Sequence, residues 1–183
     1  MDNKIRLYND IDLLSFNSED DRLNIEGYAC HFGVPNLNNE IVFKDSYNTF
    51  FEAYNQKKVM PILNFNHDNN KQIGSIDAIT SDNVGLYVKA HINKNIQYCK
   101  EWLIPNIEMG DIKSFSTEMI VLGGYDGIKT NDDGTYVVLN GILTAVAVVQ
   151  HPADYKSEFT VKNYLESLPK VDNTPKSKWF LFN

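Results

Sequence analysis

The stretch Gly110-Asp111-Ile112-Lys113-Ser114-Phe115-Ser116-Thr117-Glu118-Met119-Ile120-Val121 decides how the rest of this chain is read. Its alternation predicts a β-strand, because successive strand side chains point to opposite faces of a sheet. Phe115, Thr117, Met119 and Val121 fall on one face, which suits a core, while Ile112, Ser114, Ser116, Glu118 and Ile120 fall on the other. Two serines and a carboxylate between apolar positions fit the polar outer face of a half-exposed antiparallel strand. A serine there acquires chemistry only from a partner brought in from elsewhere in the chain.

Outward from this strand, the chain alternates short extended runs with turn signals. Ile5–Phe16 reads as extended and is closed by the acidic run Ser18-Glu19-Asp20-Asp21. Leu23–Phe32 alternates at period two, and a loop rich in Gly, Pro and Asn follows from Gly33 to Asn39. Asp45 or Ser46 can cap a helix with Tyr47, Phe50, Phe51 and Tyr54 on one face, ending near Lys57-Lys58. Met60–Phe65 is a short apolar strand running into the polar turn Asn66-His67-Asp68-Asn69-Asn70. Ile73–Thr80 and Gly85–Ile92 predict a hairpin around Ser81-Asp82-Asn83. Asn95–Met109 is helical in pattern, with Pro105 expected to kink or split it. A polar hairpin turns at Asn131-Asp132-Asp133-Gly134, and Ala145–Val149 is the most apolar run, a central strand stopped by His151-Pro152-Ala153-Asp154. From about Tyr164 the composition becomes linker-like, ending in Trp179-Phe180-Leu181-Phe182. The organisation expected is one domain over residues 1–163 and a linker and tail over 164–183, mostly β with helical insertions.

Composition limits what such a domain does. A chain of 183 residues with 43% hydrophobic and 22% charged residues builds one proper core. Its net charge of −7 argues against a nucleic-acid partner, which needs a basic surface to neutralise phosphates. No apolar run reaches the roughly 18 residues of a membrane span, and Met1-Asp2-Asn3-Lys4 opens no signal-peptide core, so a soluble intracellular protein is expected. Cys30 and Cys99 form no CxxC pair. The histidines, His31, His67, His91 and His151, are not clustered with them at zinc-ligand spacing, so no metal or other cofactor is expected. His91 alternates with Tyr87 and Lys89 on the polar face of its strand and reads as solvated. His67 differs, standing where a strand enters a tight turn, a place where a rigid sheet presents catalytic groups. A serine hydroxyl is a poor nucleophile until an imidazole can take its proton, and only the fold can bring His67 to the serines of the quoted strand.

Five segments, in order, resemble the prohead maturation proteases of tailed bacteriophages, relatives in fold of the herpesvirus assemblins. They are Gly27-Tyr28-Ala29-Cys30-His31-Phe32-Gly33, Met60–Asp68 with Ile73-Gly74, Gly85-Leu86-Tyr87-Val88-Lys89-Ala90, Ile112-Lys113-Ser114-Phe115-Ser116, and Val148-Val149-Gln150-His151-Pro152-Ala153. The resemblance implies a compact β-barrel-like serine protease domain of the assemblin type. It implies Ser116 as nucleophile and His67 as general base. Ser114, which shares the face, becomes the nucleophile if the register slips by two. It further implies an endopeptidase acting on the major capsid protein or the scaffold protein, in the host cytoplasm inside the assembling prohead, and it leaves room for a homodimer.

At one position the chain departs from that pattern. Many relatives carry an acidic residue in the strand before the Pro-Ala motif, where this chain has Ala145. His151 lies on the face of Ala145, but six residues of strand span about 20 Å. Asp68 and Glu118 are the other candidates for the third member. Without an orienting acid, the competing expectation is a catalytically silent module of protease fold that scaffolds or binds in the prohead. The aromatic tail is expected to dock on a capsid or scaffold partner or to be removed by self-cleavage.

Overall fold

The computed structural model describes residues 21–162; the extended reading of Ile5–Phe16 and the linker and tail at 164–183 lie outside them. In chain order the strands are β1 (Arg22–His31), β2 (Glu40–Val42), β3 (Ile62–Phe65), β4 (Asp68–Ser81), β5 (Gly85–Asn93), β6 (Ser114–Val121), β7 (Ile128–Thr130), β8 (Tyr136–Val138), β9 (Gly141–Val149) and β10 (Phe159–Lys162). Two α-helices, α1 (Asn48–Asn55) and α2 (Ile104–Glu108), interrupt them. The class is the expected one: mostly β, with helical insertions.

Seven strands form one curled sheet in the order β10-β1-β5-β4-β3-β9-β6. Its two edges meet at a single bridge between Ser114 and Glu158, flanked by hydrogen bonds from Phe115 N to Ser157 O and from Phe159 N to Lys113 O, each 2.8 Å. Closure removes an exposed edge where it occurs. Further along β6 no pairing with β10 continues among the described residues, so the sheet is a barrel open along part of one seam. Phe115 and Phe159 seal the closed part, with ring centroids 4.8 Å apart. The alternation of β1 buries Leu23, Ile25, Gly27 and Ala29; a bulge between Tyr28 and Cys30 then turns Cys30 inward as well.

The central placement of Ala145–Val149 is as expected, since β9 runs parallel to β3 and antiparallel to β6. The hairpin of β4 and β5 also forms, its turn held by Asp82 Oδ1, which accepts from Val84 N and Gly85 N. β4 starts earlier than its apolar pattern suggested: Asp68-Asn69-Asn70 already belong to the strand, and the turn is Asn66-His67 alone. His91, expected to be solvated, has a side chain only 14% exposed and pairs with Asp77 at 2.8 Å. The β7–β8 hairpin turns at Asn131–Gly134, with Gly134 at φ 83°, and forms a small second sheet with β2.

The helices differ from expectation at their ends. Ser46 is not an N-cap of α1; its Oγ accepts from Phe43 N and donates to Val138 O at 2.6 Å, tying a preceding 3-10 turn to the small sheet. Pro105, expected to kink or split its segment, does not split it. A π turn over Cys99–Leu103 leads directly into α2, with Pro105 just past the π turn in a continuous helical segment. β10, whose four residues carry little pattern, was not foreseen. No helix among the described residues is long and apolar enough to cross a membrane.

Candidate active site

His67 owes its position to a two-residue reversal. Asn66 and His67 have φ of 50° and 62°, the left-handed pair that a tight hairpin turn between β3 and β4 demands. Asn and His tolerate that conformation better than most residues. Asn66 is anchored from both ends, its N donating to Val148 O at 3.0 Å and its Oδ1 accepting from Gln150 N at 3.4 Å. The turn is therefore pinned to the end of β9, and the imidazole is presented beside β6.

The register sets what His67 meets. Ser114, Ser116 and Glu118 on β6 pair with Val149, Ala147 and Ala145 on β9, and Asn64 on β3 pairs with Ala147. Asn64, Ala147 and Ser116 thus form one row across three strands. The two alanines leave space above β9 for side chains from β3 and β6 to meet. Glu118 Oε1 lies 3.2 Å from His67 Nδ1, and the same oxygen accepts from Asn64 Nδ2 at 2.8 Å. His67 is 43% exposed and Glu118 24%, so the pair stands at the rim of a cleft, not in the core.

The cleft has a volume of about 440 Å³ and follows the open part of the β6 seam. Ser116, His67 and His151 all line it. Thr117, Met119 and Val121 line it too, although their alternation placed them with Phe115 in a core; of that face only Phe115 is fully buried. β6 is paired with β9 on one side only, and residues of both its faces reach the groove along its open side. The floor is neutral: burial pushes the Cys30 thiol up to about 11 and holds the Tyr47 hydroxyl well above its usual range, and the two share a 3.4 Å contact. At the rim, Asp154 accepts from His31 N and Ser157 Oγ and lies 2.8 Å from His31 Nδ1, while Leu37 N donates to Ala153 O. These bonds fix the His151–Asp154 loop against the loop after β1.

Among the residues proposed from sequence, His67 and Glu118 approach to 3.2 Å, and Ser116 lines the same cleft as His67. His151 faces the cleft but is exposed and has no hydrogen bond to the His67–Glu118 pair. Asp68 is exposed and uses Oδ1 to accept from Asn70 N, so it shapes the start of β4. Ser114 and Ser116 are both buried, but Ser114 sits at the seam and only Ser116 lines the cleft. Asn64 was overlooked; a polar residue inside the apolar run Met60–Phe65, fully buried in the fold, was the available signal.

The fold resembles that of the capsid assembly protease of bacteriophage T4, with a TM-score of 0.56 at 20% identity over 70% of this chain and 82% of that one. The KSHV protease matches with a TM-score of 0.46 at 10% identity, over 78% of this chain and 65% of that one. No curated protein sequence matches. A family model described as caudovirus prohead serine protease matches residues 10–172, nearly the whole chain, and on that match the chain belongs to this family of capsid-maturation proteases.

Proposed function

We propose that the cleft is the active site of a serine endopeptidase, with Ser116 as nucleophile, His67 as general base and Glu118 as the residue that orients His67. The observation that carries this reading is the 3.2 Å approach of Glu118 Oε1 to His67 Nδ1, beside the cleft that His67 and Ser116 both line. A carboxylate accepts hydrogen bonds only, so it selects the neutral imidazole with its proton on Nδ1 and leaves the Nε2 lone pair free. Nε2 then takes the Ser116 hydroxyl proton as Oγ bonds to the scissile carbonyl carbon, and the carbonyl oxygen becomes an oxyanion. Collapse breaks the C–N bond, with the proton on Nε2 passing to the leaving amine and an acyl-Ser116 remaining. Water, deprotonated by Nε2, attacks the acyl carbon; release of the carboxylic product returns the hydroxyl to Ser116.

Glu118 also accounts for the departure at Ala145. The two residues are direct cross-strand partners, so a carboxylate from β6 occupies the neighbourhood that an acid on β9 would serve. This supports turnover over a silent binding module. The substrate in this reading is the major capsid protein or the scaffold protein, cleaved within the assembling prohead.

Co-expression with the capsid protein, read by intact mass, tests the assignment. Trimming is expected from the wild type and lost in Ser116→Ala and His67→Ala, with Ser114→Ala retaining it. Trimming that survives Ser116→Ala overturns the nucleophile assignment. Stable co-assembly without trimming by any form overturns the peptidase reading.

A further inference from the structure

We propose that Asn64 is a positioning residue of this site: its amide clamps Glu118 against His67 and so keeps the imidazole proton on Nδ1. The inference rests on the peptidase reading above.

Asn64 is fully buried in β3, and its Oδ1 has no hydrogen-bond partner among the described residues. A buried amide half unsatisfied is costly, and a residue kept only to hold the sheet together would use both ends. Asn64 instead commits its Nδ2 to two acceptors, Asn69 Oδ1 at 2.9 Å and Glu118 Oε1 at 2.8 Å. Turning the amide over would set its oxygen against a carboxylate that can only accept, so Glu118 dictates the orientation. Glu118 Oε1 is also the atom 3.2 Å from His67 Nδ1. One oxygen thereby accepts from the Asn64 amide on one side and lies beside His67 Nδ1 on the other, and the amide removes one of the directions in which the carboxylate can swing. Asn69 lies on the far arm of the turn that carries His67, so Asn64 links that hairpin to the strand bearing Ser116. Ala147, its partner in the row, is small enough to let the amide pass.

A double-mutant cycle with a fluorophosphonate probe tests the clamp. Asn64→Leu is expected to lower the rate of Ser116 labelling at least tenfold, and adding it to Glu118→Gln is expected to cost nothing further, because the two act through one contact. Ring ¹⁵N shifts of His67 give a readout that needs no turnover: the proton is expected on Nδ1 in the wild type and to move toward Nε2 in Asn64→Leu. Should Asn64→Leu not fold, Asn64→Asp, which keeps the shape and sets a second carboxylate against Glu118, is expected to give the same two changes. An Asn64 variant that folds, labels at the wild-type rate and keeps its tautomer overturns the clamp, while labelling of the wild type but not Ser116→Ala leaves the peptidase reading intact. If the wild type is not labelled, the peptidase reading fails, and the ¹⁵N spectra alone decide whether Asn64 orders His67.

Discussion

Glu118→Ala tests where the carboxylate of the site originates. If Glu118 orients His67, the variant loses on the order of 10⁴ in kcat, the scale seen for loss of an orienting acid. Because Ala145 lies directly across the ladder, Glu118→Ala combined with Ala145→Glu is expected to recover at least tenfold of that loss. Undiminished turnover in the single variant, measured on a peptide substrate, removes Glu118 from the mechanism. The cleft floor yields a different residue-scale expectation. Burial holds Cys30 near 11, far above the range of reactive thiols. Iodoacetamide at pH 8 should therefore leave Cys30 unmodified in the folded protein and alkylate it in denaturant, as mass spectrometry of the digested protein will show.

At the scale of elements, the Asn66-His67 turn combines a structural demand with the chemical role proposed for His67. Both residues are left-handed, a conformation that costs an ordinary residue roughly 1–2 kcal/mol. Asn66→Ala should thus lower unfolding stability by about 1 kcal/mol, and Asn66→Gly should cost less, in urea titrations. β1 carries a comparable constraint, since a Cβ on Gly27 would run into the Glu158 carbonyl and Phe159 Cα of the neighbouring strand. Gly27→Ala is expected to lower Tm and to expose the amides of Phe159 to Lys162 to hydrogen exchange. Retained protection there would show that the strands can shift apart at little cost.

The whole molecule holds its shape through a seam and a strap. The seam is the short closure at Ser114–Glu158 over the Phe115–Phe159 pair, and Phe115→Ala should cost about 3–5 kcal/mol by opening a cavity there. The strap is the His151–Asp154 loop. Burial acts to raise the Asp154 carboxyl, but hydrogen bonds from His31, Lys156 N and Ser157 together outweigh it and hold the group below its ordinary range. A depressed folded value means stability that is present above the unfolded carboxyl range, about pH 4, and lost as pH falls through the folded value. Tm should therefore fall on acidification below about pH 4, and Asp154→Asn should flatten that slope. An unchanged slope in Asp154→Asn would show that the strap adds nothing to acid stability.

Period-two alternation exposed most of the strands, because it follows from the pleat and needs no knowledge of neighbours. It put Ser114, Ser116 and Glu118 on one face, and the polar turn after Phe65 marked His67. By itself it could not choose between the serines or among the acids. Which of them lie near one another depends on register, which pairs Glu118 with Ala145 and sets Asn64 in line with Ser116. It depends also on where the seam closes: Ser114 and Ser116 are both buried, but the bridge falls at Ser114 and the cleft begins at Ser116. Periodicity is a local property of the backbone, whereas register and closure belong to strands distant in sequence. The sequence alone therefore determined which residues could be chemical, and the tertiary structure decided which of them meet.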